Sequence, residues 1–393
     1  MSLFPLRPSR LLLSVLLILS FVNGVYALSP TEVSAISRQF RRVDTSGNLS
    51  GDYVRSVARD ERGVIWLLMM THVERYDGHR FHHYEVGGMP QGGDALHDLV
   101  LTADGRLWIT GSEHNYIYHE REDCIVRAEA EDFAPYGIDE PVSRLFVDSR
   151  QDLWCSSATD RGELLHYNFA TRRLLRMDVS DAGTVIGLSL AHDKPYLLTD
   201  TPDGRCAIWT TVQGGPMLTS VAVLPIIPSQ RTRCYTDSQG RLWIYVLDEP
   251  CLWQYDIRTS ACTDASILFP VDGIMMTALI DDGDGNLWIG TGNHGICMLD
   301  TKGRCTLLQQ DEGAPFQLAD NHINCFYRDS ETSTMWVGTS KQGLVYCNQS
   351  LTSISIAHMP GSEDVSCLDS DPDGCLWMGF DSQGAAACPS PRQ

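Results

Sequence analysis

The side chains of this chain that could do chemistry return on a beat set by its tryptophans. One group follows shortly after six of the tryptophans: His72, Glu113, His114, Asp160, Arg161, Asp248, Asn293, His294, Lys341 and Gln342. A second group precedes them: Asp52, Tyr53, Asp94, His97, Arg144, Arg231, Arg233, Asn321 and His322. Mixed charge, amides and rings of this kind suit a ligand with many hydroxyls, such as a sugar or a sugar acid. The residues expected to touch it are His72, His114, Arg161, Asp248, Asn293, His294, Lys341, Arg144, Arg233 and His322. The same loops could instead run acid–base chemistry if two of His72, His114, His294 and His322 converged. Exposed loops are polar whatever they do, so these positions start as candidates for binding, with no catalytic assignment.

Other chemistries find less support. Asp282-x-Asp284-x-Asn286 hints at a calcium loop, but Leu287 stands where glycine is needed and Asn293 where the bidentate Glu belongs, so it reads as a turn. His79, His82 and His83 lie close together, yet on a strand pair they read as a solvated edge. No GxSxG elbow appears, and none of the 13 cysteines forms a CxxC or a Cys/His zinc spacing. The expectation is therefore no metal and no cofactor. All the cysteines lie from Cys124 onward; Cys155, Cys297, Cys325 and Cys347 sit where small apolar residues would serve, so mostly buried free thiols are favoured over the disulfide framework that export would permit. Asn48-Leu49-Ser50 and Asn348-Gln349-Ser350 match a glycosylation pattern too short to carry weight.

The elements that must position these loops are legible in the repeat. Its clearest copy is Asp282 to Asp300, DGDGNLWIGTGNHGICMLD. The markers are Trp66, Trp108, Trp154, Trp243, Trp288, Trp336 and Trp377, with Tyr196 in a worn copy. Trp66 to Trp377 is 311 residues in seven steps, about 44 each, a period suited to a four-stranded propeller blade. Asp-Gly pairs such as Asp104-Gly105 and Asp284-Gly285 make tight turns. The runs that follow, Leu107-Trp108-Ile109 or Leu242-Trp243-Ile244, do not alternate, as expected of a strand covered on both faces. Radially stacked sheets meet that condition. The fold class is all-β, a β-propeller of seven blades over 38–360 with a remnant eighth repeat over 361–393. The alternative is an eight-bladed ring closed by Phe40 to Val43. In either case the strand ahead of the first repeat supplies the outer strand of the last blade.

Residues 1–27 have the form of a secretory signal: Arg7 and Arg10, an apolar run from Leu11 to Val22, and Val25-Tyr26-Ala27 ahead of cleavage. That run is shorter than the roughly 20 residues a membrane-spanning helix needs. The expected mature chain of 366 residues (393 less 27) is large enough for a sizeable core and carries no membrane span. A formal charge of −20 argues against nucleic acid, whose phosphates would be repelled.

The phrase D-x-x-G-x-L-W-I-G-T-x-x-G-L resembles the two-component regulator propeller repeat. The opening FRRVDTSGNLSGDYVRSVARDERGVIW resembles the start of its host receptors, the periplasmic sensors of bacterial hybrid two-component systems. The resemblance covers about 38 to 388 and implies an exported, periplasmic sensor module that binds an oligosaccharide and acts as a homodimer. Such receptors continue into a second propeller, a membrane helix, a kinase and a DNA-binding domain. This sequence has no kinase His box, so it reads as the ligand-facing half without its output, a truncated receptor and not an enzyme. Two other readings stay open: a propeller lyase or hydrolase acting on a glycan or lactone, and a protein-interaction ring.

Overall fold

The computed structural model describes residues 39–349 except 44–48, 92, 160–161, 213–214 and 311–317, and in addition six short strands nearer the termini. Phe40–Gln349 form one compact unit; Met1–Gln39 with Ser350–Gln393 form another.

The first unit is a β-propeller of seven four-stranded antiparallel sheets. Blades one to six take their strands from consecutive sequence, with inner strands at Ser56–Arg59, Leu96–Leu101, Val142–Val147, Thr184–Ala191, Thr232–Thr236 and Met276–Asp281. Blade seven has its inner strand at Ile323–Asp329, its second at Thr334–Thr339 and its third at Leu344–Asn348. Its outer strand is Phe40–Arg42, paired antiparallel with Val345 to Cys347. The strand ahead of the first repeat therefore closes the ring at blade seven, and the eight-bladed alternative is not formed.

Burial explains why one phrase builds every blade. Ile65–Leu68 and Leu287–Thr291 are buried at every position, so both faces of these second strands are covered. Apolar clusters fill each junction in turn. Trp66, Val73 and Tyr84 of blade one meet Leu96, Ile109 and Tyr116 of blade two. The last junction joins Val54, Leu67 and Met69 to Leu344 and Trp336, which completes the circle.

The turn between inner and second strands uses each aspartate twice. Asp148 Oδ1 accepts the Arg150 and Asp152 amides at 2.8 and 3.1 Å, while Oδ2 accepts the Trp154 indole at 2.7 Å. Asp60, Asp237 and Asp282 do the same for Trp66, Trp243 and Trp288. This is the physical content of D-x-x-G-x-L-W, and it spends Asp282 on a turn rather than on a cation. The fourth blade dispenses with it: His192 and Asp193, both at positive φ, form the hairpin turn, and buried Tyr196 takes the tryptophan's place. Gly338 shows why the WIGT-type motif needs its glycine, since a Cβ there would meet Val54 Cγ1 at 2.9 Å and Val54 O at 3.0 Å.

Cys297 and Cys305, on the third and outer strands of blade six, form a disulfide with Cα atoms 6.1 Å apart. The expectation of a free thiol at Cys297 is corrected: antiparallel pairing brings Cys305 opposite Leu299, one side-chain pair along the same face. Cys155 and Cys325 are free.

In the second unit, Val365–Ser370, Leu376–Phe380 and Gly384–Cys388 form an antiparallel sheet that carries the eighth repeat. Val25–Ala27 pairs with Gly384–Cys388 in parallel. Cleavage after Ala27 would remove that strand.

Candidate functional site

The inner strands surround a central channel whose mouth opens on the rim of the inter-blade loops and second-to-third-strand loops. Two adjoining cavities occupy it. One of about 310 Å³ is lined by Tyr53, Arg55, His97, Arg233, Asp248, His322 and Asn324, among others. Another of about 180 Å³ includes Arg144, Phe146, Ile186 and Gln230. They share His97, Asp98, Arg233 and Cys234, so all seven inner strands contribute to one space.

A local device aims these side chains. In blades two, three, four, six and seven the pairing of inner and second strand skips one residue at the mouth. The skipped residues are His97, Ser143, Ile186, Thr277 and Asn324. A bulge of this kind bends the strand and re-aims a side chain, and four of the five line the cavities.

Charge at the mouth opposes that of the chain. Arg55 donates to Leu96 O, Arg144 to Val185 O at 3.3 Å, and Arg233 to Gln230 O at 2.6 Å and Thr232 O at 3.1 Å. Among the described residues none of the three has a carboxylate partner. Burial, with Arg233 nearby, pulls the pKa of Arg144 down. Burial and then Arg233 likewise lower that of His97, whose Nε2 lies 2.9 Å from Ser112 Oγ. Asp248 is exposed and bound to Arg231 at 2.9 Å.

Of the ten expected binding residues, Arg144, Arg233, Asp248 and His322 line the channel cavities. His72, His114, Asn293, His294 and Lys341 do not. Their loops are held by local bonds: Asp94 accepts the His114 amide at 3.0 Å, Thr291 Oγ1 the His294 amide at 2.8 Å, and Asp320 the Lys341 amide at 2.8 Å. Arg161 lies outside the described residues. His72 lies beside Ser50, Glu74 and His83 in blade one. Thus, of the four histidines weighed for acid–base work, only His322 reaches the channel. Arg55, Asp98 and Asn324 were missed; Asp98 and Asn324 lie inside inner strands and Arg55 just ahead of one, and no turn residue or tryptophan spacing marks a bulge.

Fold and site define a seven-bladed propeller with a cationic channel mouth. Residues 270–293 and 317–341 match the family described as two component regulator propeller, so the chain carries that repeat. Among solved structures it is similar to the extracellular domain of BT3049 from B. thetaiotaomicron, assigned as a hybrid two component system. There the identity is 18% over 90% of this chain and 48% of that one, with a TM-score of 0.59. The extracellular domain of BT4673 from the same organism, assigned as a one component system, gives 15% over 87% and 51%, TM-score 0.56. Virginiamycin B lyase from Staphylococcus aureus gives 11% over 79% and 99%, TM-score 0.54. The chain spans about half the length of the two extracellular domains. At these identities the likeness is one of fold. No curated protein matches.

Proposed function

We propose that this propeller is an exported ligand-binding module of a two-component sensor, and that its ligand is an oligosaccharide bearing acid groups. The observation that carries the reading is the set Arg55, Arg144 and Arg233, three guanidiniums around one channel whose partners among the described residues are backbone carbonyls alone, in a chain of charge −20. An arginine held this way keeps donors free for a bidentate carboxylate or sulfate. Asn324 and Tyr53 supply amide and ring contacts to the sugar body. The repeat and the likeness to extracellular sensor domains support a signalling role, in which binding shifts a homodimer.

The test is thermal unfolding and calorimetry of the full-length chain with oligogalacturonate against neutral cello-oligosaccharides. The acidic probe should raise the unfolding midpoint with concentration. Arg144→Ala and Arg233→Ala should each weaken binding at least tenfold, which is about 1.4 kcal/mol. Equal response to neutral and acidic probes, or none, would sink the acidic assignment. Mass spectrometry of the same mixtures tests the lyase or hydrolase reading, which predicts a shortened or unsaturated product.

A further inference from the structure

We propose that His72, Glu74 and His83 of blade one bind a divalent first-row cation such as Zn2+. No metal-ligand spacing marks the group along the chain, because its ligands come from two strands. His72 and Glu74 lie two apart on the third strand, His72–Tyr76, and share a face of the sheet. The outer strand, Phe81–Glu85, places His83 directly across from Glu74.

Glu74 Oε1 is 3.4 Å from His72 Nε2 and 3.2 Å from His83 Nδ1, and all three ligand atoms lie within 4.8 Å of one another. Nitrogen and oxygen ligands at about 2.0–2.2 Å from a tetrahedral zinc stand roughly 3.3–3.5 Å apart. The outer partners fit as well. The remaining ring nitrogen of His83 lies 3.0 Å from Glu85 Oε1, and that of His72 lies 3.4 Å from Thr71 Oγ1. A carboxylate or hydroxyl behind each imidazole is how metal-bound histidines are oriented.

A second observation points to a missing cation. The Glu74 side chain is 1% exposed, and its Oε2 is buried with no hydrogen-bond partner among the described residues. A buried acceptor left unmet is costly, more so on a carboxylate. His83 is 41% exposed and gives the ion a way in. A second grouping, Asp148, Asp152 and His166, does not compete. Its carboxylates are already spent on Trp154, Asn168 and backbone amides.

Ser50 Oγ lies 2.6 Å from His72 Nε2 and donates to Glu74 Oε1 at 2.5 Å. Ser50 belongs to the stretch between the ring-closing strand and the inner strand of blade one. Ser50 thereby ties that stretch to the third strand that carries two of the ligands.

The experiment strips the full-length chain with EDTA and titrates it with Zn2+ by calorimetry, with unfolding midpoints measured alongside. One equivalent should bind and raise the midpoint. His72→Gln and His83→Gln should each weaken it at least tenfold. His82→Gln, on the opposite face 3.6 Å from Asp77, should leave it unchanged. Circular dichroism establishes that each variant is folded. Co2+ in place of Zn2+ should give tetrahedral d–d bands without thiolate charge transfer. The proposal falls if no ion binds, if the variant carrying both His72→Gln and His83→Gln binds as the parent does, or if a thiolate band puts the ion on the cysteines.

Discussion

The two rims of the ring start from the same repeat and end in opposite states. On the rim where inner and second strands turn, Asp60, Asp148, Asp237 and Asp282 make one bonding pattern four times, each binding two turn amides and an indole. On the rim of the channel mouth nearly every loop is solved differently. Asp94 binds Glu113 N, His114 N and the Tyr116 hydroxyl; Glu140 binds Ser157, Thr159 and Arg176; Thr291 and Thr339 cap their loops with a hydroxyl. Repetition belongs to what holds the blades. Divergence belongs to the loops around the channel mouth.

The sharpest way to break this contrast is to remove one anchor from each rim. Asp148→Ala strands two turn amides and a buried indole, and at roughly 1–3 kcal/mol per unmet group it should cost about 3 kcal/mol or more. Arg233→Ala removes a cation whose partners are carbonyls at the mouth and should change stability by under about 1 kcal/mol. Urea unfolding of the two variants gives both numbers. Equal losses would mean the mouth is structural after all.

That contrast also explains what could be read in advance. The fold was legible because each blade needs the same turn and the same doubly covered strand, so Asp, Gly and Trp recur at fixed spacing. Closure was legible because Phe40–Arg42 stood as a strand without a blade. The site was only half legible. Arg144, Arg233 and His322 fall where the loop enters the inner strand, a place the repeat marks. Arg55, Asp98 and Asn324 share that end of the inner strands, with Asp98 level with Arg144 in the pairing, and at Asp98 and Asn324 facing depends on a bulge that leaves no trace in composition. The His72, Glu74 and His83 group was hidden for a related reason: strand register, not sequence spacing, brings it together.

A finer contrast lies within the turn rim. In blade seven the turn from Asp329 is one residue longer, and Asp329 binds Thr332 and Arg59 instead of an indole. Trp336 Nε1 is buried with no partner among the described residues. Trp154→Phe should therefore cost about 1.5–3 kcal/mol more than Trp336→Phe, the net worth of one hydrogen bond to a charged acceptor. If the two tryptophans lose the same amount, the repeat acts through ring packing alone and the paired aspartate adds nothing.

The smallest effect separates the rims by proton. His97 at the mouth and His166, stacked on Trp154 at 3.8 Å near the turn rim, both have pKa values lowered first by burial. Arg233 and Arg55 also lower that of His97, against Asp98 and Asp94; Asp152 and Asp148 oppose the shift at His166, and Arg150 adds to it. With the folded value below the unfolded one, the unfolded chain takes the proton first as pH falls. Stability should drop below the ordinary histidine value of about 6.5. Unfolding in urea from pH 7 to pH 5 should show His97→Gln and His166→Gln each flattening that drop. Saturating oligogalacturonate then distinguishes them. An acid group at the mouth favours the charged imidazole, so with ligand bound His97→Gln should no longer flatten the curve, while His166→Gln still does. If ligand leaves both variants unchanged, the acid group does not sit beside His97 and the channel mouth loses its claim as the binding site.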